Sequence, residues 1–238
     1  MKQDIIRETD TMNIKPVILL MILLFITLQI GFHLTYIKYF PEFKNFTWLH
    51  HIHGALMASW VMLLVIQPVL IYKGKYKAHL FFGKLSYVIA PLMIISMCLI
   101  LRFSYNKATI NYTFKDVFPW QSFTIMQLFN FTLFYSLGVI NRKNTFKHMR
   151  YIIGTALVLI SPTLGRVLYE YFGITGPHPL YLSTALAAIF LIIDIIKKQN
   201  WVPYTIVLIG FLLAVLIYNA RFSDAWLTFG NFVVKNLY

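Results

Sequence analysis

The sequence has few charged residues for its length. Charged side chains make up 12% of its 238 residues and hydrophobic ones 59%, whereas soluble domains carry roughly 25% charged residues. The mean hydropathy of +0.68 is too high for a chain that hides its apolar side chains in one soluble core. These values exclude an ordinary soluble protein and indicate one that lies in a lipid bilayer.

Cysteine is almost absent, and several catalytic signatures are missing. Cys98 is the only cysteine, which excludes an internal disulfide, a Cys-x-x-Cys redox pair and the attachment motif of a c-type haem. The last apolar run has no lysine for retinal, and there is neither a phosphate-binding loop nor a hydrolase nucleophile motif. A zinc site built from His33, His53 and either Glu170 or His178 lacks supporting His-Glu-x-x-His spacing.

Long hydrophobic runs, in contrast, fill most of the chain. Seven of them approach the ~20 residues that a helix needs to cross ~30 Å of hydrocarbon. We therefore predict an all-α, polytopic transmembrane bundle of about seven helices. The polar flank before the first run has no small-residue cleavage site, so we expect a retained helix and not a signal peptide. The predicted spans are 16–38, 51–72, 85–103, 120–141, 151–172, 179–196 and 203–220.

Lysine and arginine are distributed unevenly between the two sides of these runs. Thirteen lie on the side of the N-terminus and seven on the opposite side. Because cytoplasmic loops carry the excess of basic residues, we expect a cytoplasmic N-terminus and an extracytoplasmic C-terminus. Residues 1–15 are then a cytoplasmic segment, 16–220 the bundle and 221–238 an extracytoplasmic segment. The net charge of +13 reflects this orientation, and we expect no nucleic-acid partner.

One set of polar residues in or just beyond the predicted spans shares a single depth. Such groups are expensive in a bilayer, so each is a candidate for function. They come from helices that run in both directions, yet all fall in the outer half, which predicts a polar pocket open to the extracytoplasmic side. They are Gln29 and His33 in the first span, His53 in the second, Gln127 and Asn130 in the fourth, Arg166 and Glu170 in the fifth, and His178 just beyond it.

Within the stretch "WLHHIHGALMASW", we expect His53 to be the functional ligand. It lies deeper than the two histidines before it, which fall at headgroup level where water competes for a metal. Gly54 follows directly and lets a neighbouring helix or a planar cofactor approach closely. The opposing ligand is expected to be His33 or His178, with Arg166 supplying a compensating positive charge.

Structural roles for the same residues stay open. Gln127 and Asn130 are also suited to hydrogen bonds between helices. Arg166 is able to pair with Glu170, one turn away, or to extend toward the headgroups. His53 can be satisfied by a neighbouring carbonyl. The shared depth of the set, and not any single residue, favours a site.

A second, shallower set of polar residues faces the cytoplasm. His79 and His148 each follow a basic residue at the start of a predicted helix, and Asp194 lies near the end of another. The two histidines form a weaker candidate ligand pair. For Asp194 we expect an ion pair with Lys197 or Lys198 beside it.

Three stretches carry a family resemblance. "HGALMASWVMLLVIQP" opens a helix with His53, "AHLFFGKLSYV" places His79 before Gly83, and "FKHMRYIIGTALVLISPTLGR" runs from a basic histidine loop at His148 to Arg166. This pattern resembles a family of uncharacterised bacterial multi-pass membrane proteins.

The resemblance covers roughly residues 50 to 170. It implies a helical membrane fold in the bacterial inner (cytoplasmic) membrane, and it brings no activity with it. The family usually has an arginine-rich His-Arg-x-x-Gly-Arg turn, whereas this chain has Leu80 and Lys84 at the corresponding positions.

A looser likeness is to membrane bundles of b-type cytochromes, in which histidines of neighbouring helices bind haem iron. His33 and His53 toward the outside, and His79 and His148 toward the inside, are the residues that correspond. An arginine such as Arg166 is suited to hold a haem propionate.

Three classes of function therefore stay open, and whether the protein is an enzyme stays open with them. A redox protein would bind b-type haem or a transition metal and exchange electrons with quinol. A transporter or binding protein would hold a small anion on Arg166, oriented by Gln127 and Asn130. An assembly factor would bind another membrane protein without chemistry of its own. In each case the lipid bilayer is a partner.

Overall fold

The structure, a computed structural model, describes residues 14–44 and 46–238 apart from the side chain of Leu34. All regular secondary structure in these residues is helical, and a 3₁₀ turn at Ile37–Tyr39 follows the first helix. The helices are α1 (Lys15–Thr35), α2 (Trp48–Tyr72), α3 (Tyr76–Ala108), α4 (Phe114–Ile140), α5 (Thr145–Phe172), α6 (His178–Ile196), α7 (Val202–Asn219) and α8 (Asp224–Leu237).

Helices α1 to α7 are each long and apolar enough to cross a membrane, with 18-residue stretches whose mean hydropathy is 1.5 or higher. The prediction of an all-α, multi-pass bundle is confirmed, and the protein is an integral membrane protein. The inner side of the bundle is the side on which α1 begins, and the outer side is the one on which α1 ends. That the inner side is cytoplasmic stays a prediction, and most of the segment 1–15 lies outside the described residues.

The helices extend further than the apolar runs that predict them. α3 continues beyond 85–103 at both ends, so Lys77 and Lys84 lie on the helix and not in the loop before it. α4 begins six residues before the predicted position because Thr113 and Asp116 form a capping box there. Hydropathy marks only the part of a helix that crosses hydrocarbon, whereas backbone hydrogen bonding continues into the headgroup region.

The surface of the bundle carries many large apolar side chains. Many large side chains are exposed along α1, α3, α6 and α7, among them Leu19, Val88, Ile192 and Leu216. In water such a surface would be a liability for aggregation, whereas in a bilayer it is the face that lipid chains cover. The protein therefore contacts the lipid bilayer along its sides.

α5 lies at the centre and packs against α1, α4, α6 and α7. Most of its residues between 150 and 163 are buried. Gly154 permits this packing, since a Cβ there would lie 3.0 Å from Val207 and 3.1 Å from Phe134.

Four helices surround a shared interior that contains the candidate sites. α2 packs along α3, α3 contacts α4, α4 packs along α5, and α5 contacts α2. α3 and α5 are therefore diagonally opposite, as are α2 and α4. Side chains on diagonal helices can reach the same interior space from two directions.

α8 has no counterpart among the predicted spans. It begins where the Ser223 side chain accepts a hydrogen bond from the backbone N–H of Trp226, with Asp224 in its first turn. Gly230 brings it close to α4, because a Cβ there would lie 2.4 Å from the Phe118 ring. α8 therefore folds back onto the outer end of α4.

Candidate functional sites

Buried polar atoms without hydrogen-bond partners mark places where a ligand could complete the interior. Leaving such an atom unpaired costs free energy, so each one requires an explanation. Gln67 and His79 together hold three of them, all toward the inner side. Within the described residues these atoms are Trp60 Nε1, Gln67 Nε2 and Oε1, His79 Nδ1, Ser122 Oγ, Gln127 Nε2, Asn130 Oδ1, Arg221 Nε and Trp226 Nε1.

The end of α4 orients His148 on the inner side. Its Nδ1 lies 2.8 Å from the carbonyl oxygen of Gly138. That carbonyl belongs to the last turn of α4. In a continuing helix it would accept from the backbone N–H of Arg142, but this N–H bonds to Val139 O, so Gly138 O is available to the histidine. Because a carbonyl only accepts, Nδ1 carries the hydrogen, and the lone pair of the neutral ring is on Nε2.

His79 lies opposite, in the first turns of α3. Its ring interacts electrostatically with His148 and also with the backbone carbonyl of Gln67 on α2. His79 Nδ1 is buried and unpaired, and so are both polar atoms of the Gln67 side chain. One turn along α3, a Cβ on Gly83 would lie 3.8 Å from Gln67 Nε2. Two imidazoles and one amide therefore lie on the inner side of the space between α2, α3 and α5, and we call them the inner cluster.

A layer of aromatic rings lies between the inner cluster and the membrane centre. The Trp60 ring on α2 meets Phe131 and Tyr135 of α4 edge-on, with centroid distances of 5.2 and 5.4 Å. Ser86 Oγ donates to Gly83 O at 2.6 Å. The Tyr135 hydroxyl, 3.2 Å from the same Oγ, is therefore the donor between α4 and α3. These contacts join α2, α3 and α4 on the membrane-centre side of the inner cluster.

An ion pair joins α5 to α6 on the inner side and corrects one expectation. Arg150 Nε and Nη2 donate to the two carboxylate oxygens of Asp194 at 2.5 and 2.6 Å, and Nη2 also donates to Gln199 Oε1 at 2.7 Å. Both charged side chains are buried. The expected pairing of Asp194 with Lys197 or Lys198 is wrong, because both lysines are exposed beyond the end of the helix, where water solvates them.

In the outer half, His53 bonds to α3 through Ser96. His53 Nδ1 lies 3.0 Å from Ser96 Oγ. The hydroxyl hydrogen of Ser96 is used by Met93 O at 2.7 Å, so His53 Nδ1 must donate and its Nε2 keeps the lone pair. His53 is thus oriented in the same manner as His148.

Arg166 is close enough to His53 for the two side chains to interact electrostatically. Its Nη1 donates to Pro162 O, one turn earlier on α5, at 2.8 Å. Its guanidinium lies over the Phe32 ring of α1, 4.2 Å from the centroid. Glu170 affects Arg166 only over a longer distance, since among the described residues no carboxylate lies within 4.0 Å of this guanidinium. We call His53, Ser96 and Arg166 the outer cluster.

The packing around the outer cluster is tight on one side and open on the other. α1 approaches α5 closely, since a Cβ on Gly31 would lie 2.7 Å from the carbonyl oxygen of Thr163. Beside His53, in contrast, a Cβ on Gly54 would meet no atom within 4 Å. The helix surface at Gly54 is therefore not tightly packed.

The two amides predicted for the same layer occupy a different part of the interior. Asn130 Nδ2 donates to Gly210 O of α7 at 3.1 Å, which is the interhelical hydrogen bond considered as its structural role. Asn130 Oδ1 and Gln127 Nε2 remain buried and unpaired. A ligand-binding role for either amide stays a prediction.

The remaining predicted residues lie at the outer surface. His33 lies in the last turn of α1, His178 begins α6, and Glu170 lies in the last turn of α5; all three are exposed. In the described part of the chain, no three side chains of His, Cys, Asp or Glu come together as a metal-binding group. Roles for His33 or His178 as the ligand opposite His53 stay predictions.

The first two histidines of "WLHHIHG" support local structure. His50 Nδ1 accepts from the backbone N–H of Thr47 at 3.2 Å, which forms a capping box at the start of α2. His51 Nδ1 lies 2.5 Å from the Tyr36 hydroxyl. Both lie at the outer end of α2, as expected from their position at the membrane edge.

No protein-family model, curated protein or solved structure matches the chain. The resemblance to a bacterial family of multi-pass membrane proteins therefore stays a prediction. The function has to be inferred from the two clusters themselves.

Proposed function

We propose that this chain is a membrane redox protein that holds a transition-metal centre, either b-type haem or an isolated ion, between His79 and His148. The observation that carries this proposal is the placement of two imidazoles from diagonal helices on the inner side of the same interior space. His148 Nδ1 donates to Gly138 O, which leaves its Nε2 without a protein partner among the described residues, and His79 Nδ1 is buried there without a partner. Metal-binding histidines are usually oriented in this way through their second nitrogen.

The donor set fits a transition metal. Neutral imidazole nitrogen binds haem iron, copper and zinc well. Gln67 adds an amide that is already removed from water and has no protein partner, so a bound centre would relieve part of its desolvation cost. The buried arginine on this side, Arg150, is neutralised by Asp194 and does not oppose a cation.

The protein's own contribution is orientation and exclusion of water. Gly138 O orients the His148 ring, Gln67 lies near the His79 ring, and the aromatic side chains of Trp60, Phe131 and Tyr135 would limit access of water from the outer half. When bound, the metal supplies one-electron oxidation and reduction. Within the bacterial inner membrane, the electron partners would be a quinol or another membrane protein.

An absorption spectrum and a metal analysis of the purified protein test the proposal. We expect either a Soret band that shifts on reduction with dithionite, or a copper or iron content near one equivalent without that band. His79→Gln and His148→Gln should each remove most of the bound centre. His178→Gln, which changes an exposed histidine, is the matched control and should keep it.

Thermal melting of each variant separates loss of the centre from loss of the fold. A colourless, metal-free protein from cells supplied with haem and metals would overturn the proposal. So would a centre that survives in both cluster variants. Bound zinc would support the site but contradict the redox function, because zinc has no accessible second oxidation state.

A further inference from the structure

The outer cluster carries a positive charge that no described residue neutralises. Arg166 donates one hydrogen bond to a carbonyl of its own helix and stacks on Phe32. Its other N–H groups have no hydrogen-bond acceptor among the described residues. A guanidinium in this situation is well suited to a planar or tetrahedral oxyanion, which it can bind through two parallel hydrogen bonds.

The hydrogen-bonding state of His53 restricts which oxyanions can bind beside it. Because Ser96 takes the hydrogen of Nδ1, the neutral ring presents a lone pair at Nε2. A fully ionised oxyanion would be repelled by that lone pair, whereas an oxyanion with a protonated oxygen could donate to it. Phosphate and its monoesters can keep such a proton near neutral pH because their second pKa lies at about 6 or slightly above, whereas sulfate and simple carboxylates do not keep one.

We infer that the outer cluster binds a phosphate group that carries a P–OH. Arg166 donates to two phosphoryl oxygens, and the P–OH donates to His53 Nε2. Packing is open at the neighbouring position of α2, where a Cβ on Gly54 would meet no atom within 4 Å. The site is separate from the inner cluster and does not depend on a bound metal.

Two sources share this chemistry. Inorganic phosphate could enter from the outer aqueous phase, and a phosphomonoester lipid such as phosphatidic acid could enter from the outer leaflet. Phosphatidylglycerol, a phosphodiester, has no P–OH and serves as the lipid control.

The experiment measures thermal melting of the full chain in phosphatidylcholine nanodiscs near neutral pH. Inorganic phosphate is titrated in one arm, and phosphatidic acid or phosphatidylglycerol is included in the others. We expect Tm to rise with either inorganic phosphate or phosphatidic acid, because a ligand that binds only the folded state stabilises it. Sulfate should bind at least about tenfold more weakly than phosphate, and phosphatidylglycerol should have no effect.

Variants assign the response to this cluster. Arg166→Gln should weaken phosphate binding at least about tenfold, and Ser96→Ala should reduce the preference for phosphate over sulfate. Arg221→Gln is the matched control. Arg221 is on the same side, stacks on Trp120 and donates to a carbonyl of its own helix, Tyr218 O, at 2.6 Å, and this variant should respond like the wild type.

Several outcomes would overturn the inference. These are no rise in Tm with phosphate or phosphatidic acid, an unchanged response in Arg166→Gln, or a response lost in Arg221→Gln instead. If sulfate binds the wild-type protein as tightly as phosphate does, the role of His53 is contradicted. This comparison needs no variant, so it holds even if a variant fails to fold. If Arg166→Gln does not fold, Arg166→Lys keeps the charge, loses the two-pronged geometry and should still bind more weakly.

Discussion

The inner and outer sides of the bundle contain similar residues and differ in whether their arginine is paired with a carboxylate. Each has an oriented histidine, His148 or His53, and each has an arginine of α5. On the inner side Arg150 is locked to Asp194, whereas on the outer side Arg166 has no carboxylate partner among the described residues. Where the arginine is neutralised, free imidazole nitrogens can accept a metal cation. Where the arginine is not neutralised, the neighbouring histidine is better placed to help an anion bind.

The largest effect should come from breaking the inner ion pair. Asp194→Asn leaves the buried guanidinium of Arg150 without its counterion, which typically costs about 3–5 kcal/mol. We expect a large drop in Tm, or no folded protein in detergent extracts. Glu170→Gln is the matched outer variant and should change stability by less than about 0.5 kcal/mol, since Glu170 is exposed.

Similar losses for Asp194→Asn and Glu170→Gln would mean that the two arginines are equally dependent on a carboxylate. The comparison would then fail, and with it the argument that Arg166 has charge available for a ligand.

A smaller effect is expected at the glycines of the outer side. Gly31→Ala forces a methyl group to within 2.7 Å of a backbone oxygen of Thr163, so α1 and α5 must separate, at a cost of about 1–3 kcal/mol. Gly54→Ala meets no atom and should be neutral or stabilise by up to about 1 kcal/mol through helix propensity. Thermal melting of the two variants side by side measures the difference, and a destabilising Gly54→Ala would show that the space at the Gly54 Cβ position is filled.

The fold could be predicted from hydropathy because the bilayer imposes it. Spans of about 20 apolar residues leave few alternatives to transmembrane helices. α8 escaped the prediction because it is short and only partly apolar. Its position follows from contacts of Trp226 and Gly230 with α4, which local sequence does not encode.

The site residues were predictable in type, whereas their partners were not. Intramembrane polarity singled out His53, His79, His148 and Arg166. The groups that orient them come from other helices and from backbone carbonyls, so they depend on which helices pack together. Arg150 escaped the prediction because it directly precedes the predicted span 151–172, at a position where a basic residue is expected to face the headgroups.

The smallest effect concerns Gln67 of the inner cluster. Its buried amide makes no hydrogen bond within the described residues, so Gln67→Met should stabilise the metal-free protein by about 1 kcal/mol, because an unpaired polar group no longer has to be desolvated. The metal-free protein, prepared with a chelator or under haem limitation, is compared with wild type by thermal melting. A clear loss of stability would indicate that the amide already has a partner.

The most direct test of the difference between the two sides is the metal content of His148→Ala and His53→Ala, purified in parallel with wild type. We predict that wild-type protein and His53→Ala contain the same metal or haem at about one equivalent per chain, and that His148→Ala contains little or none. Metal that is lost in His53→Ala and retained in His148→Ala would contradict the account.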